Sequence, residues 1–361
     1  MEAVKHAAEK VSSHLPGHHA HGQETILISG ASGFVAAHVL NAFLEHGYNV
    51  RGTVRSEETA AKVRKTHAKY ANQLSFAIVK DVAAPGAFDE AVKGVDGVIH
   101  TASPFVMSVE DNERDLLNPA IKGTTQILTA IQKNNPKVKR VVVTSSFAAI
   151  MDLNQGARPG YTYSEKDWNP ITYDVAKSTD NGAVAYCASK LFAEKAAYDY
   201  VKEHVPNFSV STLCPPMIYG PNLHSVSDLS KLNTSSADIY RLMNGSTKEV
   251  PETGFPAFCD VRNVGEAHLK AYESPKAAGQ RYFMTAGNFS YQQVCDIIRA
   301  EFPELRSRTP EGTPNAPLPD SFKVDNSKAR EQLGIHFIPL KECIVDTVKS
   351  LVALEKELGV N

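Results

Sequence analysis

The chain lacks an excess of charge of either sign. Its 38 basic and 40 acidic side chains leave a net charge of −2, so it offers no basic field to hold a nucleic-acid backbone or an anionic membrane. It also lacks a cysteine framework. Cys187, Cys214, Cys259, Cys295 and Cys343 are scattered, odd in number and free of Cys-x-x-Cys spacing, which writes neither disulfides nor a zinc site and favours a reducing compartment. No apolar run reaches the roughly 18 residues that span a bilayer, and the N-terminus has no apolar signal region. With 22 Gly and 20 Pro, the 361-residue chain is far from collagenous or low-complexity composition. These absences leave an ordinary globular protein, expected in the cytoplasm, with small molecules as partners and no metal.

At roughly 150 residues per domain, the length suits one large α/β unit with a smaller lobe. Residues 1–24 stand apart, because His14, His18, His19 and His21 crowd beside Pro16 and Gly17; this reads as a flexible, solvated leader rather than a metal site. From Thr25 onward, short apolar strands alternate with helical patterns, which predicts a doubly wound parallel sheet of Rossmann type. Strands are expected at Thr25–Ser29, Tyr48–Val54, Leu74–Val79, Gly97–Thr101, Arg140–Thr144 and Ser209–Cys214. Helices are expected from Phe34 to His46, from a Ser56 cap to about Ala71, and from about Ala183 to His204. Pro215, Pro216 and Pro221 then break the regularity, and helical periodicity returns at Asn326–Leu333 and Leu340–Leu358. The division that follows is a nucleotide-binding unit over 25–215, with segments returning near 258–285, and a substrate lobe made mainly from 216–361.

The first strand runs directly into Gly30-Ala31-Ser32-Gly33-Phe34-Val35-Ala36, and a helix follows at once. Gly30 permits the tight turn, Gly33 lets the backbone approach a pyrophosphate, and the helix N-terminus presents unpaired N–H groups to the anion. Sites selective for NAD place a carboxylate about 20 residues further on. Here that strand ends Thr53-Val54-Arg55. Arg55 can pair its planar fork with a 2′-phosphate, which favours NADPH. Asp81, after the third strand, is placed either to accept from the adenine amino group or to cap its own backbone.

Hydride transfer to a carbonyl also needs a proton donor. Tyr-x-x-x-Lys places an ammonium and a phenol on one helix face, where the charge lowers the phenol pKa. The chain holds four copies, beginning at Tyr173, Tyr186, Tyr198 and Tyr272. Tyr173 lies in an irregular connection, and Tyr272 has Pro275 inside its spacing, so both read as surface residues. Tyr198 lies twelve positions beyond Tyr186, about 120° around the axis. Tyr186-Cys187-Ala188-Ser189-Lys190 remains, with small intervening residues and a preceding strand that ends Thr144-Ser145-Ser146. Ser146 can hold a carbonyl oxygen beside the Tyr186 hydroxyl.

These residues resemble the extended short-chain dehydrogenase/reductase superfamily, and within it the fungal NADPH-dependent aldehyde and ketone reductases of the methylglyoxal/isovaleraldehyde reductase type, with plant dihydroflavonol reductases as further relatives. The similarity runs from about Thr25 to Leu354. It includes His100-Thr101-Ala102-Ser103-Pro104-Phe105, Glu113-Arg114-Asp115-Leu116-Leu117, the Pro215–Pro221 segment and Asp260-Val261-Arg262. The resemblance implies Ser146, Tyr186 and Lys190 as catalytic residues. It implies a nucleotide bordered by Gly30, Ser32, Gly33, Phe34, Val35, Arg55, Asp81, Val82, Thr101, Ala102, Ser103, Thr144, Tyr186, Lys190, Pro215, Met217 and Ile218. It places Phe105, Phe147 and Met217 around the carbonyl, which points to aldehydes and ketones with hydrocarbon or aromatic substituents. Two positions depart from the pattern. Thr59 stands where many relatives carry a second basic residue, and Lys122 replaces a common Asn, leaving a proton relay unassigned. The alternatives are another enzyme of the same superfamily, such as a hydroxysteroid dehydrogenase or sugar-nucleotide epimerase, and a nucleotide-sensing regulator. The absent carboxylate speaks against the epimerase and the retained Ser, Tyr and Lys against the regulator. Both monomers and homodimers remain open.

Overall fold

The computed structural model describes residues 24–103 and 109–360. Seven strands form the central sheet: β1 (Thr25–Ser29), β2 (Asn49–Val54), β3 (Leu74–Ile78), β4 (Gly97–His100), β5 (Arg140–Thr144), β6 (Ser209–Cys214) and β7 (Arg281–Phe283). All neighbours are parallel, in the order β7-β6-β5-β4-β1-β2-β3. The inner strands are apolar throughout because helices cover both of their faces. Ile26, Leu27 and Ile28 are fully buried, as are Val98 and Ile99.

The helices are α1 (Phe34–Glu45), α2 (Glu57–Thr66), α3 (Asn118–Asn134), α4 (Tyr173–Ser178), α5 (Gly182–His204), α6 (Thr234–Met243), α7 (Val261–Glu273), α8 (Tyr291–Glu301), α9 (Ser327–Leu333) and α10 (Leu340–Glu357). On one face of the sheet, Val39, Leu40 and Phe43 of α1 pack with Val264 and Ala267 of α7. On the other, Ile127 and Ile131 of α3 share a core with Ala197 and Tyr200 of α5. Local chemistry fixes the ends. Ser56 accepts a hydrogen bond from the Thr59 N–H to start α2, and Asn181 accepts from the N–H groups of Ala183 and Val184 to start α5. The smaller lobe joins α6, α8 and α10 through Ile239, Leu242, Val294, Ile298, Ile344 and Val348. In a short sheet the strand Ala257–Asp260 pairs with Met217–Tyr219 on one side and with Gly287–Asn288 on the other.

Several expectations change. The helix begun at Ser56 ends at Thr66, and a 3-10 turn, Ala68–Tyr70, replaces its last part. Tyr173 opens the helix α4, capped by Thr172; it is half-buried, and its hydroxyl donates to Glu113. Tyr272 is likewise no surface residue. It lies on α7, which ends before Pro275, and its half-buried ring packs edge-on against Tyr48 and at a tilt against Phe43 while its hydroxyl donates to Glu24. The histidine-rich leader lies outside the described residues, apart from Glu24. Among the described residues no helix is long and apolar enough to cross a membrane.

Helices α1 and α7 meet at Gly265, where an added Cβ would stand 2.8 Å from the His38 carbonyl oxygen. Replacing Gly by Ala in a helix gains up to about 1 kcal/mol of propensity, but overpacking a rigid contact costs about 1–3 kcal/mol. Gly265→Ala is therefore expected to lower the thermal midpoint by a few degrees in a calorimetric scan. An unchanged or raised midpoint would show that the two helices separate freely.

Candidate active site

The sheet order reverses between β1 and β4, and their C-terminal ends diverge into a crevice, where ligands of such sheets lie. Ser29 closes its floor. The Ser29 hydroxyl accepts from the N–H groups of Thr101 and Ala102, each at 3.0 Å, and shares a hydrogen bond with His100 Nδ1 at 2.9 Å. Burial lowers the His100 pKa to about 4, with the Lys190 charge acting in the same direction, so the ring is neutral. Above this floor Gly30 sits at φ +67°, and an added Cβ there would stand 3.1 Å from Ala102. The Gly33 N–H closes the turn on the Gly30 carbonyl. Gly33 itself caps α1 without a side-chain bond, and no acidic residue lies in the first turn of α1. The unpaired N–H groups of that turn and the positive end of the helix dipole thus face an open site suited to a pyrophosphate.

A cavity of about 640 Å³ extends from this turn. Gly30, Gly33, Phe34, Val35, Thr101, Ser103, Ser146, Tyr186, Lys190, Met217 and Ile218 all border it. The Ser146 and Tyr186 hydroxyls share a hydrogen bond. Lys190, one turn further along α5, lies 5.5 Å from the Tyr186 ring centre and donates to Ser103 Oγ. Tyr198 faces elsewhere, its hydroxyl bonding Thr212 and the Gln280 carbonyl.

The electrostatics differ from the expectation that Lys190 lowers the Tyr186 pKa. Burial pushes the phenol well above its ordinary value, the neighbouring Cys187 acts in the same direction, and the Ser146 bond opposes both. Desolvation also lowers the Lys190 pKa to about 8. Both shifts share one cause, since a low-dielectric wall penalises the phenolate and the ammonium alike.

Other anticipated residues are placed differently. Phe147 is a correction: it is fully buried and does not border the cavity. The Ser146 side chain accepts from the Ala148 N–H and starts a 3-10 turn, which turns Phe147 inward against Phe283, Phe322, Tyr163 and Phe255. Ala148 takes the cavity side. Phe105 lies outside the described residues. The Thr144 hydroxyl bonds His268 at 2.7 Å, away from the cavity wall. Pro216, rather than Pro215, borders the cavity; the Pro215 carbonyl accepts from the Phe147 N–H. Ala102 packs under Gly30 and Val82 against Gly123. Asp81 is exposed and accepts from the Ala83 N–H at 2.9 Å, the backbone-capping alternative. Arg55 is exposed at the end of β2. A smaller cavity of about 40 Å³ is lined by Ser32, Thr59, Lys62, Thr66, His224 and Ser225, among others, and Arg55 is not part of its lining.

Sequence reasoning missed Ala183, Cys187, Asn233, Thr234, Ser235 and Phe255, which also border the main cavity. Cys187 lay inside the Tyr186–Lys190 string; the 233–235 segment and Phe255 come from the smaller lobe, where no motif marks them. Lys62, one helical turn beyond Thr59 on α2, lines the smaller cavity and pairs with Glu58 at 2.7 Å.

Comparisons with known proteins agree with this geometry. The profile of the NAD dependent epimerase/dehydratase family matches residues 26–284. An uncharacterised oxidoreductase of Schizosaccharomyces pombe is 42% identical over 327 residues, spanning 90% of this chain and 96% of its own. An Aspergillus niger ketoreductase is 38% identical over 338 residues, covering 91% and 97%. The crystal structure of yeast methylglyoxal/isovaleraldehyde reductase complexed with NADPH superimposes with a TM-score of 0.86 at 35% identity, covering 92% of this chain and 99% of that one. By profile, by relatives and by fold, the chain belongs to the NAD dependent epimerase/dehydratase family, the extended short-chain dehydrogenases.

Proposed function

We propose that the protein is an NADPH-dependent carbonyl reductase that converts aldehydes and ketones with apolar or aromatic substituents to alcohols. The observation that carries this reading is the convergence of the Ser146 and Tyr186 hydroxyls and the Lys190 ammonium on one cavity that opens onto the glycine turn. Bound NADPH supplies a hydride to the carbonyl carbon. Ser146 and Tyr186 hold the carbonyl oxygen, and Tyr186 gives its proton to the alkoxide that forms. A raised phenol pKa keeps that proton in place until the alkoxide appears. Apolar Met217, Ile218 and Phe255 surround the remainder of the substrate. In this reading 25–215 and the returning segments bind the nucleotide, and most of 216–361 shapes the substrate side. Five buried free thiols fit a cytosolic setting.

The N–H groups at the start of α1 would hold the pyrophosphate, and Arg55 the 2′-phosphate. Ser32 and Lys62 line the smaller cavity and would supply the second contact that Thr59 cannot.

Removing the phenol hydroxyl should remove the proton donor. Tyr186→Phe is expected to lower kcat/KM at least about 100-fold, read from consumption of the reduced nucleotide with an apolar ketone; a rate within twofold of wild type would dismiss Tyr186 from that role.

Lys190, with its pKa lowered to about 8, keeps its proton below that pH and loses it above. The reduction rate should therefore fall as pH rises through about 8. Lys190→Arg, whose guanidinium stays charged, should remove that break even if its rate is lower throughout. A break that persists in the Arg variant would assign the titration to another group.

Nucleotide choice is tested by binding. Charged hydrogen bonds contribute about 1.5–3 kcal/mol, so Arg55→Ala should weaken NADPH roughly 10- to 100-fold in a fluorescence titration and leave NADH nearly unchanged. Equal weakening of both would place Arg55 away from the 2′-phosphate.

A further inference from the structure

The most heavily bonded charged group near the site is one the reaction does not touch. Glu194 lies on α5, eight residues beyond Tyr186, and its side chain is completely buried. Its carboxylate accepts from Ser145 Oγ at 2.7 Å, Thr212 Oγ1 at 2.6 Å, and Arg281 Nε and Nη2 at 2.7 and 3.0 Å; the Cys214 thiol adds a longer contact at 3.6 Å. Arg281, from β7, is almost as buried. Its remaining N–H groups donate to the carbonyls of Ala149, Glu165 and Asp167, and its guanidinium carbon lies 3.7 Å from the Trp168 ring centre.

The partners of this pair lie on both sides of Ser146. Ser145 and Phe147 prolong the β5–β6 ladder, through the Ser145 N–H to the Leu213 carbonyl and the Phe147 N–H to the Pro215 carbonyl. Successive residues of an extended segment face opposite ways, and Ser146 is extended at φ −158°, ψ 153°. Ser145 therefore points into the core towards Glu194, while Ser146 points into the cavity towards Tyr186. Glu194 grips the residue before Ser146, and Arg281 grips the carbonyl of Ala149 three residues after it. The same carboxylate is rigidly joined to Tyr186, roughly 12 Å away along one helix at 1.5 Å per residue.

We propose that Glu194 and Arg281 form a positioning pair that sets the spacing between the Ser146 and Tyr186 hydroxyls, with Ser145 as the link. A buried ion pair is weak evidence for stability, because desolvation of both charges offsets their attraction. One that also holds the residue before Ser146 and the carbonyl three residues after it, from the helix that carries Tyr186, has a different use. A misplacement of about 1 Å in such a pair can cost 100-fold in rate. The proposal rests on the reductase reading given above.

Ser145→Ala cuts the link without leaving a charge unpaired, so the protein keeps its fold. Expected is a loss of about tenfold or more in kcat, with KM for an apolar ketone, the NADPH dissociation constant from fluorescence, and the thermal midpoint all close to wild type. Ser145→Thr, which keeps the hydroxyl, should restore most of the rate. Glu194→Gln added to Ser145→Ala should lower kcat by much less than the product of the two single effects. A wild-type kcat in Ser145→Ala, a fall in kcat matched by weakened NADPH binding, or no recovery with Thr would each overturn the proposal. Loss of activity in Tyr186→Phe alongside an unaffected Ser145→Ala would leave the reductase reading standing and remove only the positioning pair.

Discussion

The constraint on which the rest depends is the point where β1 and β4 part. Parallel neighbours that continue in opposite directions across the sheet cannot both cover the space above their ends, so a crevice forms there without any side chain being specialised for it. The chain then finishes the crevice with backbone: a hydroxyl, Ser29, gathers the N–H groups that follow β4, and a left-handed glycine, Gly30, lies flat on Ala102. The bare start of α1 points across this floor. Every group of the site is placed relative to it, since α5 and the end of β5 reach the cavity from the opposite side.

That second side is governed by desolvation. Burial in the cavity wall holds the Tyr186 proton on and weakens the hold of Lys190 on its own. A phenol in this setting suits donation to a strong base formed during the reaction rather than standing ionisation. The lysine, in contrast, reaches the serine after β4 and is coupled to the nucleotide side of the crevice. Behind both, a dense polar network anchored on Glu194 and Arg281 replaces what would otherwise be apolar packing between α5, β5 and β7.

Much of this was legible in the sequence because the signals were local. Strand, glycine turn and helix are contiguous from Thr25 to Glu45, and Tyr186 and Lys190 are four residues apart on a helix whose Asn181 cap is itself a sequence feature. What was illegible depended on single-residue geometry or on distant chain. Phe147 turned into the core because the Ser146 hydroxyl capped the very next turn, a choice that alternation along a strand does not reveal. The short α4 offered too few residues for a period. Three-residue β7 joins the sheet 67 positions after β6 ends, with only the buried Arg281 to distinguish it. Pro275 stands two residues beyond the end of α7, so the helix that carries Tyr272 is complete before the proline, an end that periodicity alone does not locate. The cavity residues from 233–235 and Phe255 reach the site only through the packing of the smaller lobe.

The central claim is that a proton-donating phenol and a serine face an apolar chamber over a reduced nucleotide. The most direct measurement follows the near-ultraviolet absorbance of NADPH while apolar and aromatic ketones, and separately sugar nucleotides, are offered to the purified protein. The account predicts steady oxidation of NADPH with the ketones and formation of the matching alcohols, with little or no turnover of sugar nucleotides. Preferential turnover of the sugar nucleotides, or no oxidation with any apolar carbonyl, would contradict it.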